Sequence, residues 1–119
     1  MDDERIWSSE ESLWSGGAER YRALVDEECL MVLPKLPFVM RGEQAIAALS
    51  NTPRWSRVVL SERAVSRPQE GLIVIAYKAH AESEGKPPYE AHCTSTYRRL
   101  GHEEWRVVQH QQTPPLVVI

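Results

Sequence analysis

The sequence predicts an α+β fold in which N-terminal helices pack in a strongly curved antiparallel sheet. Two observations predict it. Apolar residues recur at helical spacing in segments of residues 3–49, whereas residues 55–113 hold four stretches rich in Val, Ile, Tyr and Thr that are parted by turn residues. Because an antiparallel sheet must bury its apolar face, we expect these strands to curl over the helices.

The composition is typical of one ordinary domain, which we expect to span residues 1–119. The 14 basic and 17 acidic residues are mixed along the chain and give a net charge of -3, which argues against nucleic-acid and membrane partners. The acidic start and the lack of an apolar run of membrane-spanning length lead us to expect a cytoplasmic protein. Cys29 and Cys93 are expected to be buried, reduced thiols.

The first helix is predicted over residues 3–15, and Gly16-Gly17 should end it. Its apolar side chains fall within about one helical stripe and its glutamates are expected elsewhere on the helix. The apolar set is Ile6, Trp7, Leu13 and Trp14, and the acidic set is Glu4, Glu10 and Glu11.

Two further helices and two strands complete the first half of the chain. A second helix is predicted over residues 18–28, and a third over residues 42–49, which Asn51-Thr52-Pro53 ends. The apolar run 29–33, stopped by Pro34, predicts a buried strand, and residues 38–41 predict a short return strand.

Four long strands are predicted over residues 55–67, 71–82, 88–100 and 105–113. A turn near Lys86 would set Tyr77 opposite Ser95, Ala79 opposite Cys93 and His80 opposite His92. A turn near His102 would set Tyr97 opposite Val107, Ser95 opposite Gln109 and Cys93 opposite Gln111. The predicted inner face is Tyr77, Ala79, Cys93, Ser95, Tyr97, Trp105, Val107, Gln109 and Gln111. The predicted outer face is Lys78, His80, His92, Thr94, Thr96, Arg98, Arg106, Val108 and His110.

The predicted inner face carries a small polar cluster. Buried amides and hydroxyls are costly unless paired, so they either satisfy one another or contact the polar groups of a ligand. Two glutamines are hard to satisfy without a cavity, which favours a pocket. The ligand-binding candidates are Met31, Leu33, Trp55, Tyr77, Cys93, Ser95, Tyr97, Trp105, Gln109 and Gln111.

Three histidines, His80, His92 and His110, are predicted on the outer face of the sheet. No carboxylate or thiol joins them as a third ligand, so we predict neither a metal site nor a cofactor. A homodimer interface on that face is the favoured interpretation. No serine triad, phosphate-binding glycine loop or HExxH pattern is present in the sequence.

Several segments carry a family resemblance. The start of the third helix, Gly42-Glu43-Gln44-Ala45-Ile46, and the ending Trp105-Arg106-Val107-Val108-Gln109-His110-Gln111-Gln112-Thr113-Pro114 resemble the NTF2-like superfamily, specifically its DUF4440 / SnoaL-like branch. The resemblance covers essentially the whole chain. It implies a cystatin-like cone in which a bent sheet wraps three helices, an apolar cavity at the wide end, and dimers formed through the outer sheet face.

The superfamily includes ketosteroid isomerases, epoxide hydrolases and binding modules without activity, so the fold alone does not fix a function. The ketosteroid isomerases carry an aspartate base and an aspartic-acid oxyanion donor at the positions matched here by Leu33 and Cys93. Leucine has no lone pair for a proton, so that enolisation chemistry is not expected. The epoxide hydrolases need inward aspartates, and the predicted inner face holds no carboxylate.

Two functions are therefore considered. The first is a homodimer that binds a small, largely apolar molecule in the cavity. If it is a lyase or isomerase, Tyr77 is the candidate proton donor and the Gln109 amide the candidate oxyanion stabiliser. The second is a non-catalytic interaction or assembly module.

Overall fold

The computed structural model describes residues 1–49 and 51–115. Its elements are α1 (Asp3–Ser15), α2 (Ala18–Leu24), β1 (Val25–Val32), β2 (Val39–Arg41), α3 (Gly42–Leu49), β3 (Arg57–Gln69), β4 (Leu72–Glu82), β5 (Tyr89–Gly101) and β6 (Glu104–Thr113). The strands form one curved sheet in the order β2-β1-β6-β5-β4-β3. The predicted α+β fold is confirmed, although β1 and β6 pair in parallel and the other neighbours are antiparallel.

Helix α1 matches its predicted bounds and has a capping contact at each end. The Asp2 side chain accepts a hydrogen bond of 2.8 Å from the main-chain N–H of Arg5, and the N–H of Gly16 donates to the Ser12 carbonyl at 2.8 Å. A side chain at Gly16 would meet that carbonyl at 2.5 Å, so glycine is needed there for space. The helix buries Ile6, Trp7, Ser9, Glu10, Leu13 and Trp14.

The second helix is shorter than predicted, because α2 ends at Leu24 and the chain is already extended at Val25. Pairing with β6 explains the difference: Val25 lies beside Val107 in the parallel ladder and is buried in the core. Tertiary contacts have thus overridden the helical spacing of this short segment. Gly42 allows the start of α3 to lie close to β1, because an added Cβ there would lie 2.0 Å from the Asp26 carbonyl oxygen.

Bulges interrupt the long strands. In β3 the register with β4 shifts between Ser61 and Ala64, and Glu62 adopts a left-handed φ of 52°. Such a bulge bends a strand, which lets the sheet wrap around the helices. Strand β4 itself alternates buried and partly buried residues along its length, as expected for a strand with one face on the core.

The predicted register between β4 and β5 was wrong by two residues. Tyr77 lies opposite Cys93 and Lys78 lies opposite His92, so His80 is opposite Glu90 and not His92. A shift of two residues leaves every side chain on its predicted face. Tyr77, Ala79, Cys93, Ser95 and Tyr97 are accordingly buried.

The predicted register between β5 and β6 holds for only half of its length. Tyr97 does pair with Val107, but Thr96 pairs with Gln109, which makes Val108 an extra, bulged residue. After Val108, each side chain of β6 lies on the face of the sheet opposite to the predicted one. The prediction that Gln109 and Gln111 face inward and His110 outward is therefore wrong, and His110 is only 7% exposed.

No helix in the described part of the chain is long and apolar enough to cross a membrane.

Candidate functional site

A cavity of about 500 Å³ opens between α3, the loop from β1 to β2 and the turn from β4 to β5. This volume is in the range of sites that enclose small organic molecules. Its wall is mainly apolar and includes Leu13, Trp14, Met31, Leu33, Ala45 and Trp55. The indole of Trp55 stacks on Tyr89, with ring centroids 5.8 Å apart and planes at 11°. Three of the predicted binding residues, Met31, Leu33 and Trp55, thus line the cavity.

Two polar side chains of the wall come from the end of β6, where His110 and Gln112 both face inward. The side-chain nitrogen of Gln112 lies 3.1 Å from Nε2 of His110, and the hydroxyl of Tyr89 donates to Oε1 of Gln112 at 2.9 Å. Sequence reasoning missed both residues, because the bulge at Val108 cannot be read from alternation. They are the groups best placed to meet a polar atom of a ligand.

Behind His110 lies the carboxylate of Glu10, which is fully buried. Three hydroxyls donate to it: Tyr77 to Oε2 at 2.5 Å, Ser95 to Oε2 at 2.6 Å and Tyr97 to Oε1 at 2.7 Å. No Lys or Arg of the described residues forms an ion pair with it. Hydroxyl donors thus replace the water that the carboxylate has lost.

Glu10 is a second omission of the sequence reasoning. The helix prediction sets Glu10 apart from the apolar stripe of α1, and the predicted inner face of the sheet holds no carboxylate. The signal was present, however, because Glu10 is three residues after Trp7 and three before Leu13, which puts it on their side of the helix. A carboxylate on an apolar stripe is a candidate for a buried polar network.

The hydrogen bonds have a consistent direction. Nε1–H of Trp14 donates to the Tyr77 oxygen at 3.0 Å, so the Tyr77 proton is directed to Glu10. Since Ser95 also donates to Glu10, its oxygen accepts from Nδ1–H of His110, 2.7 Å away. That tautomer leaves a lone pair on Nε2 of His110, where Gln112 donates. A chain of donors therefore runs from Tyr89 through Gln112, His110 and Ser95 to Glu10.

Burial shifts the pKa of His110 and the pKa values of the tyrosines that donate to Glu10 in opposite directions. Burial lowers the pKa of His110, and the charge of Glu10, whose Oε2 is 3.5 Å from Nδ1, opposes that shift in part. Burial, followed by the nearby charge of Glu10, raises the pKa of Tyr77 and of Tyr97 well above the ordinary value. At neutral pH the lowered pKa favours the neutral imidazole of His110, and both tyrosines remain protonated donors.

The remaining predicted site residues do not reach the cavity. Tyr77, Cys93, Ser95 and Tyr97 lie buried in the core, and the Tyr77 hydroxyl is fully occupied by Glu10 and Trp14. Trp105, also buried, borders a separate depression between α1, α2 and the turn from β5 to β6. Gln109 lies on the outer face, where it bonds Thr96 at 3.0 Å and Thr94 at 3.2 Å, and Gln111 is exposed beside it. The structure therefore supports His110 and Gln112 over Tyr77 and Gln109 as the polar groups of the site.

Both cysteines are buried and unpaired, and burial raises the pKa of each to about 12. A thiol with so high a pKa is a poor nucleophile. Among the described residues no group of three or more His, Cys, Asp or Glu side chains is placed to hold a metal ion.

A second depression, of about 680 Å³, lies between α1, α2 and the turn from β5 to β6. Its lining mixes acidic and basic side chains, and Arg5 forms an ion pair with Glu103 there at 2.9 Å. Such paired, exposed charges form a solvated surface. The inner cavity is therefore the candidate site.

No protein-family model matches the chain, and no curated protein matches it in sequence. Solved structures do match in fold. An NTF2-like protein from Cytophaga hutchinsonii is 18% identical, with 97% of this chain and 100% of that chain covered and a TM-score of 0.78. A proposed ketosteroid isomerase from Parabacteroides distasonis is 20% identical, with 92% and 85% covered and a TM-score of 0.77.

The association domain of CaMKII from C. elegans is 12% identical, with 92% of this chain and 90% of that chain covered and a TM-score of 0.74. At such low identities the likeness concerns the fold and not the activity. The chain has the NTF2-like fold, with three helices and a curved six-stranded sheet.

Proposed function

We propose that residues 1–119 form a single NTF2-like domain of the DUF4440 / SnoaL-like branch that binds a small, largely apolar molecule in the inner cavity. One observation carries the proposal: an apolar cavity of about 500 Å³ whose wall is interrupted by His110 and Gln112, both held by a hydrogen-bond chain that ends on buried Glu10. The apolar wall supplies affinity, and the two fixed polar groups supply orientation.

The polar groups define what the ligand presents at the inner end. Nε2 of His110 offers a lone pair to a hydroxyl or another donor, and the Gln112 amide offers N–H to a carbonyl. A ligand donor that bonds Nε2 of His110 takes the place of the Gln112 amide nitrogen, which lies 3.1 Å from that atom. A carbonyl or hydroxyl compound therefore fits better than a pure hydrocarbon.

The same geometry supports an isomerase or lyase reaction. Leu33 cannot serve as the base of such a reaction, but His110 would take a proton from a carbon next to a carbonyl through Nε2. The Gln112 amide would donate to the developing oxyanion. Glu10, 3.5 Å from Nδ1, would stabilise the imidazolium that forms. The fold neighbour described as a proposed ketosteroid isomerase is consistent with this reaction class.

A thermal-shift screen against small, mostly apolar carbonyl and hydroxyl compounds tests the binding function. A ligand at about 100 times its dissociation constant adds roughly 2.7 kcal/mol of stability, which is several degrees in a domain of this size. Ala48 lines the cavity, so Ala48→Phe should fill it and abolish the shifts. Gln109→Leu, on the outer face, is the matched control and should keep them.

A screen without hits, or hits that Ala48→Phe retains, would contradict the binding function. For any substrate found, His110→Gln should lower kcat far more than it raises KM if His110 is the base. Equal turnover by wild type and His110→Gln would contradict the role of His110 as the base.

A second function, a homodimeric assembly module, is favoured by one feature of the outer face. Leu30, Val32 and Val39 are 48%, 39% and 61% exposed there. Val39 pairs with Val32, and Val32 pairs with Gln111, so these apolar side chains continue into the glutamines of β6. A self-complementary contact would cover this surface, which we name the outer-face patch.

Sedimentation equilibrium tests that interface. We expect a dimer that Val32→Glu converts to a monomer, whereas Val59→Glu, on the opposite edge strand and 42% exposed, leaves it intact. A monomeric wild type would contradict the dimer without bearing on the cavity.

A further inference from the structure

We infer that the ligand of the cavity is a monoanion, with an apolar body and one carboxylate-like group held at the mouth by Lys35 and Lys86. The inference rests on the proposed binding function and adds to it the charge and the orientation of the ligand.

The charge of the cavity is opposite to that of the chain. The chain has 17 acidic and 14 basic residues. The cavity lining includes Lys35, Arg54 and Lys86 but none of the aspartates or glutamates. Because two of the three lysines of the sequence lie at this one opening, the local field favours an anion.

The two lysines also differ from most other cations of the protein in lacking an acidic partner. Lys78, the third lysine, pairs with Glu90 at 3.2 Å, and most arginines form similar ion pairs. No described carboxylate forms an ion pair with Lys35 or Lys86, which are both exposed and come from two different loops. Their charges remain available to a ligand.

Arg54 adds a third positive charge that is fixed in place. Its Nε donates to the Gly16 carbonyl at 2.7 Å, a terminal nitrogen donates to the Leu13 carbonyl, and its guanidinium lies 5.5 Å from the centre of the Tyr21 ring. These carbonyls carry the partial negative charge of the C-terminal end of α1, which offsets only part of the charge of Arg54. The arginine therefore makes the potential of the cavity more positive while the two lysines reach the ligand.

The inner end of the cavity excludes the anion. Glu10 is an acceptor of three hydroxyl donors and lies 3.5 Å from His110, so a second negative charge beside His110 would be repelled. The ligand must then be oriented with its anionic group outward, its apolar body against Met31, Leu33 and Trp55, and an uncharged polar group inward.

Matched ligands test the inference. A panel of aryl and branched alkyl bodies is prepared in three versions that differ only in one end group: carboxylate, primary carboxamide and ammonium. Dissociation constants are measured by calorimetry at low and high salt. We expect the carboxylate to bind about three to ten times more tightly than the carboxamide at low salt, with the preference reduced at high salt, and the ammonium to bind most weakly.

The variant Lys35→Gln/Lys86→Gln should bind carboxylate and carboxamide alike. Both lysines are exposed, so its folding is not at risk, and equal melting temperatures verify this. Lys78→Gln makes the same type of change on the outer face and should keep the preference.

The outcomes separate the two proposals. Equal binding of carboxylate and carboxamide by wild type, or a preference that the double variant keeps, overturns the anion inference and leaves the cavity function standing. Failure of every member of the panel to bind overturns the cavity function itself.

Discussion

The two ends of the hydrogen-bond chain in this protein contain similar chemical groups but have different surroundings. At the closed end, the hydroxyls of Tyr77, Ser95 and Tyr97 donate to the carboxylate of Glu10 in the core. At the open end, Gln112 and the Tyr89 hydroxyl are partly buried and border the cavity. Buried polar groups that bond other protein groups stabilise the fold, whereas similar groups that border a cavity can bond a ligand.

Among changes to the hydrogen-bond chain, we expect Glu10→Leu, at its closed end, to lower the free energy of unfolding most. This change leaves three buried hydroxyls without their acceptor, at about 1–3 kcal/mol each in the worst case, so we expect a loss of about 3 kcal/mol or more. Urea unfolding measures it. Glu11→Leu, the next residue of the same helix but not fully buried, should change stability by less than about 1 kcal/mol. Similar losses in both variants would contradict a satisfied buried carboxylate.

Removal of one hydroxyl at each end of the hydrogen-bond chain should cost more stability at the closed end than at the open end. Tyr97→Phe deletes a donor to the Glu10 carboxylate, and no water can replace it in the core, so we expect a loss of about 2 kcal/mol. Tyr89→Phe deletes a bond to Gln112 beside the cavity, where water can substitute, and should cost less than about 1 kcal/mol. Denaturant midpoints at equal m-values measure both. The reverse order would show that the cavity end carries the stability.

The smallest effect is a pH dependence that reports on His110, between the two ends. Its pKa is lowered by burial, so the unfolded chain binds a proton more readily than the folded one. The contribution of His110 to the free energy of unfolding is therefore fully present above the unfolded pKa of about 6.5. It decreases as the pH drops below that value, by at most about 1.4 kcal/mol per pH unit. We expect unfolding measured from pH 5 to 7.5 to show this fall, and His110→Gln to remove it. Identical slopes for wild type and His110→Gln would show that folding does not change the pKa of His110.

Much of the architecture follows from local pattern. Residues 3–15 and 42–49 are helices as predicted, and the four long strands begin and end within two residues of their predicted bounds. The inward positions of Tyr77, Ser95 and Tyr97 were also predicted correctly, because alternation fixes a face even when the register is wrong by two. Local periodicity is a property of neighbouring residues, so the sequence alone determines it.

The candidate site depended on features that periodicity does not contain. Because Val108 is an extra residue in β6, His110 and Gln112 line the cavity in place of the predicted Gln109 and Gln111. Nothing in the spacing of residues 105–113 marks a bulge, since its position is set by how β6 fits β5 on one side and β1 on the other. The end of the second helix was decided in the same way, when Val25 joined the sheet.

The local pattern of residues thus predicts the fold class, most element bounds and the apolar faces of the strands. It does not predict that Glu10, on α1, meets hydroxyls from β4 and β5 and lies beside His110 of β6, which is seen only in the folded chain. The physical reason is that a charged group is stable in a core only where several distant segments bring donors to it together, and that convergence exists only in the folded chain.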